Sequence, residues 1–245
     1  MRESQTQLDS SSRSEVQPPY PACESENDPL KPDPTPEAIA PDKSYKRKKV
    51  LAWLDKNVPA KRLQHILRVE EMAVKLALHH HLDAERAAQA GLMHDLAKCF
   101  KPKRLLQLAA DNGLTIDSVF AANPHLLHAD VGAIVARDEF GIQDATVLEA
   151  IRNHTLGSAG MSSLSCVVFL ADSLEPGRGD TVQLRTLREA CWNDLHQAVW
   201  LTSEYTLKSL FENKSLIHPR AVMTRNWAMQ MAIQATQASS TKLSS

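Results

Sequence analysis

The chain has 245 residues, 43% of them hydrophobic and only 5% aromatic, with a formal net charge of −1. That length allows one or two domains around a sizeable core, and an alanine- and leucine-rich, aromatic-poor balance favours helix packed on helix. No apolar run reaches the length needed to span a bilayer, and the four cysteines (Cys23, Cys99, Cys166, Cys191) are too scattered for a framework or a paired motif.

The first residues lack an apolar core behind a basic start, so no secretory signal is expected there. A reducing cytoplasm is the expected location. The charge is uneven: residues 1–45 hold four basic against nine acidic side chains, and the remainder holds 24 against 20. So small a basic excess suits a phosphate-bearing small molecule and is too weak for a nucleic-acid binder.

Eight of the thirteen prolines lie between Pro18 and Pro41, among few large apolar residues. Proline removes backbone donors, and there is little here to bury. Residues 1–44 are therefore expected to be a disordered, acidic extension. A single all-α helical bundle is expected over 45–235, with a flexible tail over 236–245.

Within the bundle, Val50, Leu51, Trp53, Leu54 and Val58 form the first apolar stripe, and Pro59 restarts the chain. A long helix follows, with Ile66, Val69, Ala73 and Leu76 on one face and His65 at its edge. A third helix is expected over Ala84–Cys99, where Ala87, Ala88, Ala90 and Gly91 leave room for His94 and Asp95 beside a close neighbour. Further helices are expected after Pro102 up to Gly113 and after Pro124 up to Gly141, and a third with Asp144 as N-cap. The stretch around Val167, Val168 and Phe169 has strand-like composition, but its continuation into Asp172 and Glu175 at helical spacing decides for helix. One long amphipathic helix is expected from Thr181 to Asn213, and a short final one over 219–235.

His65, the His94–Asp95 pair, His128, His154 and Asp172 are separated by 29, 34, 26 and 18 residues. Each interval is about one helix–turn–helix step, so each side chain can enter one bundle core from a different helix, as metal sites in bundles are built. Four imidazoles and two carboxylates without thiolate suit iron, manganese, zinc or cobalt in a reactive site better than a structural zinc. A natural division gives His65, His94, Asp95 and Asp172 to one ion. His128, His154 and a bridging Asp95 serve the other. Two such ions can hold a hydroxide and clamp both oxygens in phosphoryl transfer.

The blocks "KRLQHILRV", "AGLMHDLAK", "LLHADVGA", "IRNHTLG" and "LADSLEPGR" resemble, in order, those of HD-domain phosphohydrolases. More closely they resemble the YqeK-type symmetrical bis(5′-nucleosyl)-tetraphosphatases, over residues 46 to 230. The resemblance implies an all-helical protein with a di-iron-type centre that cleaves diadenosine tetraphosphate into two ADP, and it places the ligands at the same six residues. The pattern departs at Leu156, Ser158 and Cys166, where polar, basic and charged residues are expected. None of the three is a ligand position, so they bear on substrate selectivity.

Catalytic and substrate-binding candidates surround these ligands. Lys98, one turn after Asp95, is placed to neutralise phosphate charge as it develops, alongside the metal-bridging Asp95. Arg178 offers a planar fork for phosphate. Glu175 is expected to orient a ligand or a water, and Arg62 to reach the same substrate as its near neighbour His65. The rival readings are an HD hydrolase of another nucleotide and a non-catalytic nucleotide-sensing or docking module, against which the intact set of six speaks. A homodimer is compatible with the sequence, and no nucleic acid or membrane partner is expected. The run His79–His81 closes a helix and points three ways, so it is read as macrodipole chemistry rather than a metal site. His196 and His218 have no partner evident in the sequence.

Overall fold

A computed structural model describes the backbone over residues 47–243. The extension expected at 1–44 lies outside the described residues. Among the described residues there are eleven α-helices and no strand. The apolar spacing of each helix buries one face, and the core runs between them through Leu54, Ile66, Leu76, Leu92, Leu96, Ile151 and Leu170, all fully buried.

The site rests on five of these helices. Helix α1 (Arg47–Asn57) lies against α2 (Ala60–His79) and α3 (Ala84–Met93). α2 packs along α3 closely, because a Cβ at Gly91 would stand 2.9 Å from the Glu70 Cα; only glycine permits that approach. Helix α4 (Pro102–Asp111) follows, then the five-residue α5 (Ser118–Ala122), which the sequence pattern does not reveal. A 3₁₀ turn at Pro124–Leu127 feeds α6 (His128–Phe140), and Gly141 at φ 72° closes it. Asp144 caps α7 (Ala145–Asn153), accepting from the amides of Thr146 and Val147 as expected. α8 (Ser163–Leu174) is helical despite its valines, and packs against α2, α3 and α7.

Three expectations about helix bounds are corrected. The third helix ends at Met93 rather than Cys99. His94 Nδ1 takes the Gly91 carbonyl, the acceptor a continuing helix offers to residue 95, and the chain proceeds in tighter three-residue turns such as Lys98 N to Asp95 O. The long helix expected over 181–213 is two, α9 (Val182–Asn193) and α10 (Leu195–Glu212). Asp194, extended at φ −151° and ψ 120°, breaks it and caps α10 through the Gln197 amide. The last helix, α11 (Pro219–Leu243), continues past residue 235, and α10 lies along both α11 and α8. No helix among the described residues is long and apolar enough to cross a membrane.

Candidate metal centre

All six expected ligands meet in the middle of the bundle. His65 comes from α2, His94 caps the end of α3 with Asp95 beside it, His128 opens α6, His154 caps the end of α7, and Asp172 lies in the last turn of α8. His94, Asp95, His128 and His154 are essentially buried, and His65 nearly so. Buried titratable groups of this density require compensation.

The imidazoles share one device. The Nδ1 atoms of His94, His128 and His154 lie 2.7, 2.6 and 2.7 Å from the carbonyls of Gly91, His125 and Ile151, each three residues earlier. A carbonyl only accepts, so Nδ1 must carry the proton, and Nε2 is left with its lone pair. The acceptors are available because helix and 3₁₀ ends leave their last carbonyls unpaired. His65 reaches the same tautomer by another route: its Nδ1 donates to Glu175 Oε1 at 3.0 Å. All four Nε2 atoms therefore face the centre.

The carboxylates divide that centre. Asp95 Oδ2 lies 3.4 Å from His94 Nε2 and 3.8 Å from His65 Nε2, while Oδ1 lies 3.4 Å from His128 Nε2 and 3.8 Å from His154 Nε2. Asp172 Oδ1 lies 3.0 Å from His65 Nε2 and 3.7 Å from His94 Nε2. Three overlapping triads have ligand atoms within 4.8 Å of one another: His65–His94–Asp95, His94–His154–Asp172 and Asp95–His128–His154.

This donor set fits a cation. His94 Nε2 is buried without a hydrogen-bond partner. His128 and His154 bring two Nε2 lone pairs to 3.1 Å, an arrangement that only a proton or a metal between or beside them relieves. His154 is held neutral: burial and the neighbouring His94 and His128 push it down to about 3, outweighing the pull of Asp172 and Asp95. Burial alone would raise Asp95, but the neighbouring His94, with His128 and His154 beside it, holds it well below the usual carboxylate range. Burial opposes charge on His94 too, yet Asp95 and Asp172 raise it.

The remaining candidates line the rim. Lys98 Nζ lies 3.2 Å from His128 Nε2. Arg62 meets Asp95 Oδ2 at 2.9 Å. Arg178 donates through Nε to the Asp172 carbonyl at 2.8 Å and through Nη2 to Asp172 Oδ1 at 2.6 Å. Glu175 faces His65 and is itself gripped by Arg68 and the Gly177 amide. Burial would raise its carboxyl, but the hydrogen bonds from Arg68, His65 and Gly177 bring it down to about 2. Two cavities flank the cluster and share Lys98 and Arg178: one of about 370 Å³ bounded by α8, α10 and α11, the other of about 480 Å³ at the start of α2.

Several contributors lie outside the sequence-derived set. Thr155 Oγ1 stands 3.2 Å from His128 Nε2. Arg220 clasps the loop after His154, binding the Gly157 carbonyl at 2.6 Å and the Arg152 carbonyl at 2.9 Å, while Thr224 takes the Leu156 carbonyl. Arg68 could have been sought as the residue three positions past His65 on the same helix face. Thr224 and Arg220 carry no local signal, because their partners are some 63 to 68 residues away. Of the departures noted above, Leu156 lines the 370 Å³ cavity, and Cys166 is fully buried, with burial pushing its thiol up to about 12. His218 pairs with Asp117 at 3.0 Å, and His196 stacks edgewise on Trp227.

An HD domain model matches residues 62–177, the span from Arg62 through Gly177 that contains all six central side chains. The chain is 33% identical over 183 residues to the symmetrical bis(5′-nucleosyl)-tetraphosphatase of Bacillus subtilis, covering 74% of this chain and 96% of that protein. The protein of the same description from Halalkalibacterium halodurans is 33% identical over 180 residues, covering 74% and 95%. A crystal structure from Clostridium acetobutylicum, described as a predicted HD superfamily hydrolase involved in NAD metabolism, superposes with a TM-score of 0.73 at 32% identity, covering 76% of this chain and 98% of that one. The chain belongs to the HD-domain family of hydrolases that includes the symmetrical bis(5′-nucleosyl)-tetraphosphatases.

Proposed function

We propose that this chain hydrolyses dinucleoside tetraphosphates, diadenosine tetraphosphate among them, symmetrically into two nucleoside diphosphates in the cytoplasm. The observation that carries the reading is the division of Asp95, whose two oxygens face two separate pairs of imidazole Nε2 atoms. The arrangement suits two ions bridged by Asp95, one also held by His65, His94 and Asp172, the other by His128 and His154. Mixed nitrogen and oxygen donors favour iron, with manganese, cobalt or zinc as substitutes. Bound there, the ions supply Lewis acidity to the phosphate and a water activated for attack at neutral pH.

The chain's own groups position the substrate and carry its charge. Lys98 Nζ, half-buried beside His128, meets the oxygens of the phosphorus under attack. Arg178 keeps its Nε on the Asp172 carbonyl, which aims the outer edge of its fork along the polyphosphate. Arg62 extends the same cationic rim from α2. Glu175 holds His65 in its tautomer and acts through that imidazole. The water oxygen joins the second phosphorus, and the bond from that phosphorus to the oxygen bridging it to the third breaks. The departing nucleoside diphosphate keeps that oxygen with the electron pair, and the water's proton passes to solvent. Chromatography of products from diadenosine tetraphosphate tests this: ADP as sole nucleotide product is expected, and AMP with ATP contradicts it.

A further inference from the structure

The two cavities flanking the cluster differ in chemistry. The one at the start of α2 is lined by Lys61, Arg62, Arg68, Lys98 and Arg178, with Glu175 as its single acid. The other borders Asp172 and His154 at one end, and its walls alternate apolar side chains such as Leu156, Phe169 and Leu184 with hydroxyls such as Thr155, Ser173 and Thr206. Polyphosphate suits the first. The second is a slot of mixed apolar and hydroxyl-bearing side chains opening onto the same two cations.

Two side chains of that slot are anomalous. Thr202 and Ser203 lie mid-way along α10, 0% and 5% exposed, and neither hydroxyl has a hydrogen-bond partner. Serine and threonine inside helices ordinarily satisfy themselves on the carbonyl four residues back. Thr186, Thr224 and Thr236 do so here, at 3.2, 2.9 and 3.0 Å. Thr202 and Ser203 forgo that bond at adjacent positions, both lining the cavity. Buried hydroxyls left unpaired are costly and rare, and because both line the cavity, a ligand seated in it can supply the missing partner.

We infer that the cavity between α8, α10 and α11 seats one nucleoside of the substrate, with Thr202 and Ser203 hydrogen-bonding its polar edge. The inference rests on the proposed reaction and assigns its two halves unequally. One nucleoside is enclosed against Phe169, Leu156 and Leu184, with its phosphates leading past Arg178 and Lys98 to the metal centre. The other half lies along the cationic groove, which lysine and arginine side chains dominate and no leucine, phenylalanine or tyrosine lines. A cavity of about 370 Å³ falls in the range of small-molecule sites, and a few fixed polar groups on apolar walls are how such sites gain selectivity.

The test uses the full-length, metal-loaded protein and two probes, ADP and inorganic pyrophosphate, whose affinities are measured by titration calorimetry. The double variant Thr202→Val, Ser203→Ala keeps the side-chain volumes and removes both hydroxyls. It should weaken ADP about tenfold while pyrophosphate changes by less than about twofold, with Tm unchanged or raised. Ala221→Trp, which fills the slot, should weaken ADP at least as much and spare pyrophosphate. Unchanged ADP affinity in the double variant, or equal weakening of both probes, overturns the assignment whether or not Ala221→Trp folds. If ADP binding depends on the two hydroxyls but diadenosine tetraphosphate is not cleaved to ADP, the tetraphosphate reading fails and the nucleoside seat stands. If symmetrical cleavage proceeds with the same KM in the double variant, the seat fails and the reaction stands.

Discussion

Two regions of this molecule are rich in histidine, and they use it in opposite ways. At the end of α2, His79 and His80 are consecutive and spend Nε2 on the carbonyls of Trp192 and Cys191, both at 2.6 Å. In the centre of the bundle, His65, His94, His128 and His154 are far apart in sequence and spend Nδ1, leaving Nε2 to converge. The first arrangement ties α2 to the end of α9, where helix carbonyls lack partners. The second creates a donor cage. Local density of histidine builds an anchor, whereas helical spacing and the choice of nitrogen build a site.

The contrast can be broken at its strongest point by Asp95→Asn. An amide offers one acceptor and one donor in place of two anionic oxygens, so the two halves of the cage are no longer joined by charge. Turnover of diadenosine tetraphosphate should be abolished while the helical circular dichroism is retained. Residual activity near that of the wild type would show that Asp95 bridges nothing. Next in size is Glu175→Gln, which loses the charge that fixes the His65 tautomer. Metal affinity should fall roughly 10–100-fold in competition with a chelator, as for other outer partners of ligating histidines. Glu175 would be merely structural if stability dropped and chelator competition did not change.

The smallest effect belongs to the other region. His79→Ala with His80→Ala should cost about 1 kcal/mol per lost hydrogen bond in denaturant unfolding and leave both metal content and kcat/KM in place. A loss of metal in that variant would remove the distinction between anchor and cage.

Much of this was legible beforehand, for physical reasons. The six ligands stand at intervals of about one helical hairpin, and the helix starts at Asp144 and Pro102 carry ordinary capping chemistry. The break at Asp194 was readable too, since Asp194 followed by Gln197 has the form of a capping box. The apolar periodicity running through it outweighed that signal. α5 is five residues long, too short for any period to show, and is held by Asp117 accepting from the Phe120 amide. The tautomer device was not legible, because it depends on which carbonyls the helix ends leave open. Nor was the slot at Thr202 and Ser203, whose walls come from 156 to 221 and meet only in the folded chain.

The central claim is that four Nε2 atoms and a bridging Asp95 hold two ions. Elemental analysis of anaerobically purified protein, run beside Asp95→Asn, tests it most directly. The wild type should carry about two equivalents of one transition metal and the variant at most about one. A wild type that binds none, with no activity restored by added iron or manganese, or a variant with the same content as the wild type, would contradict it.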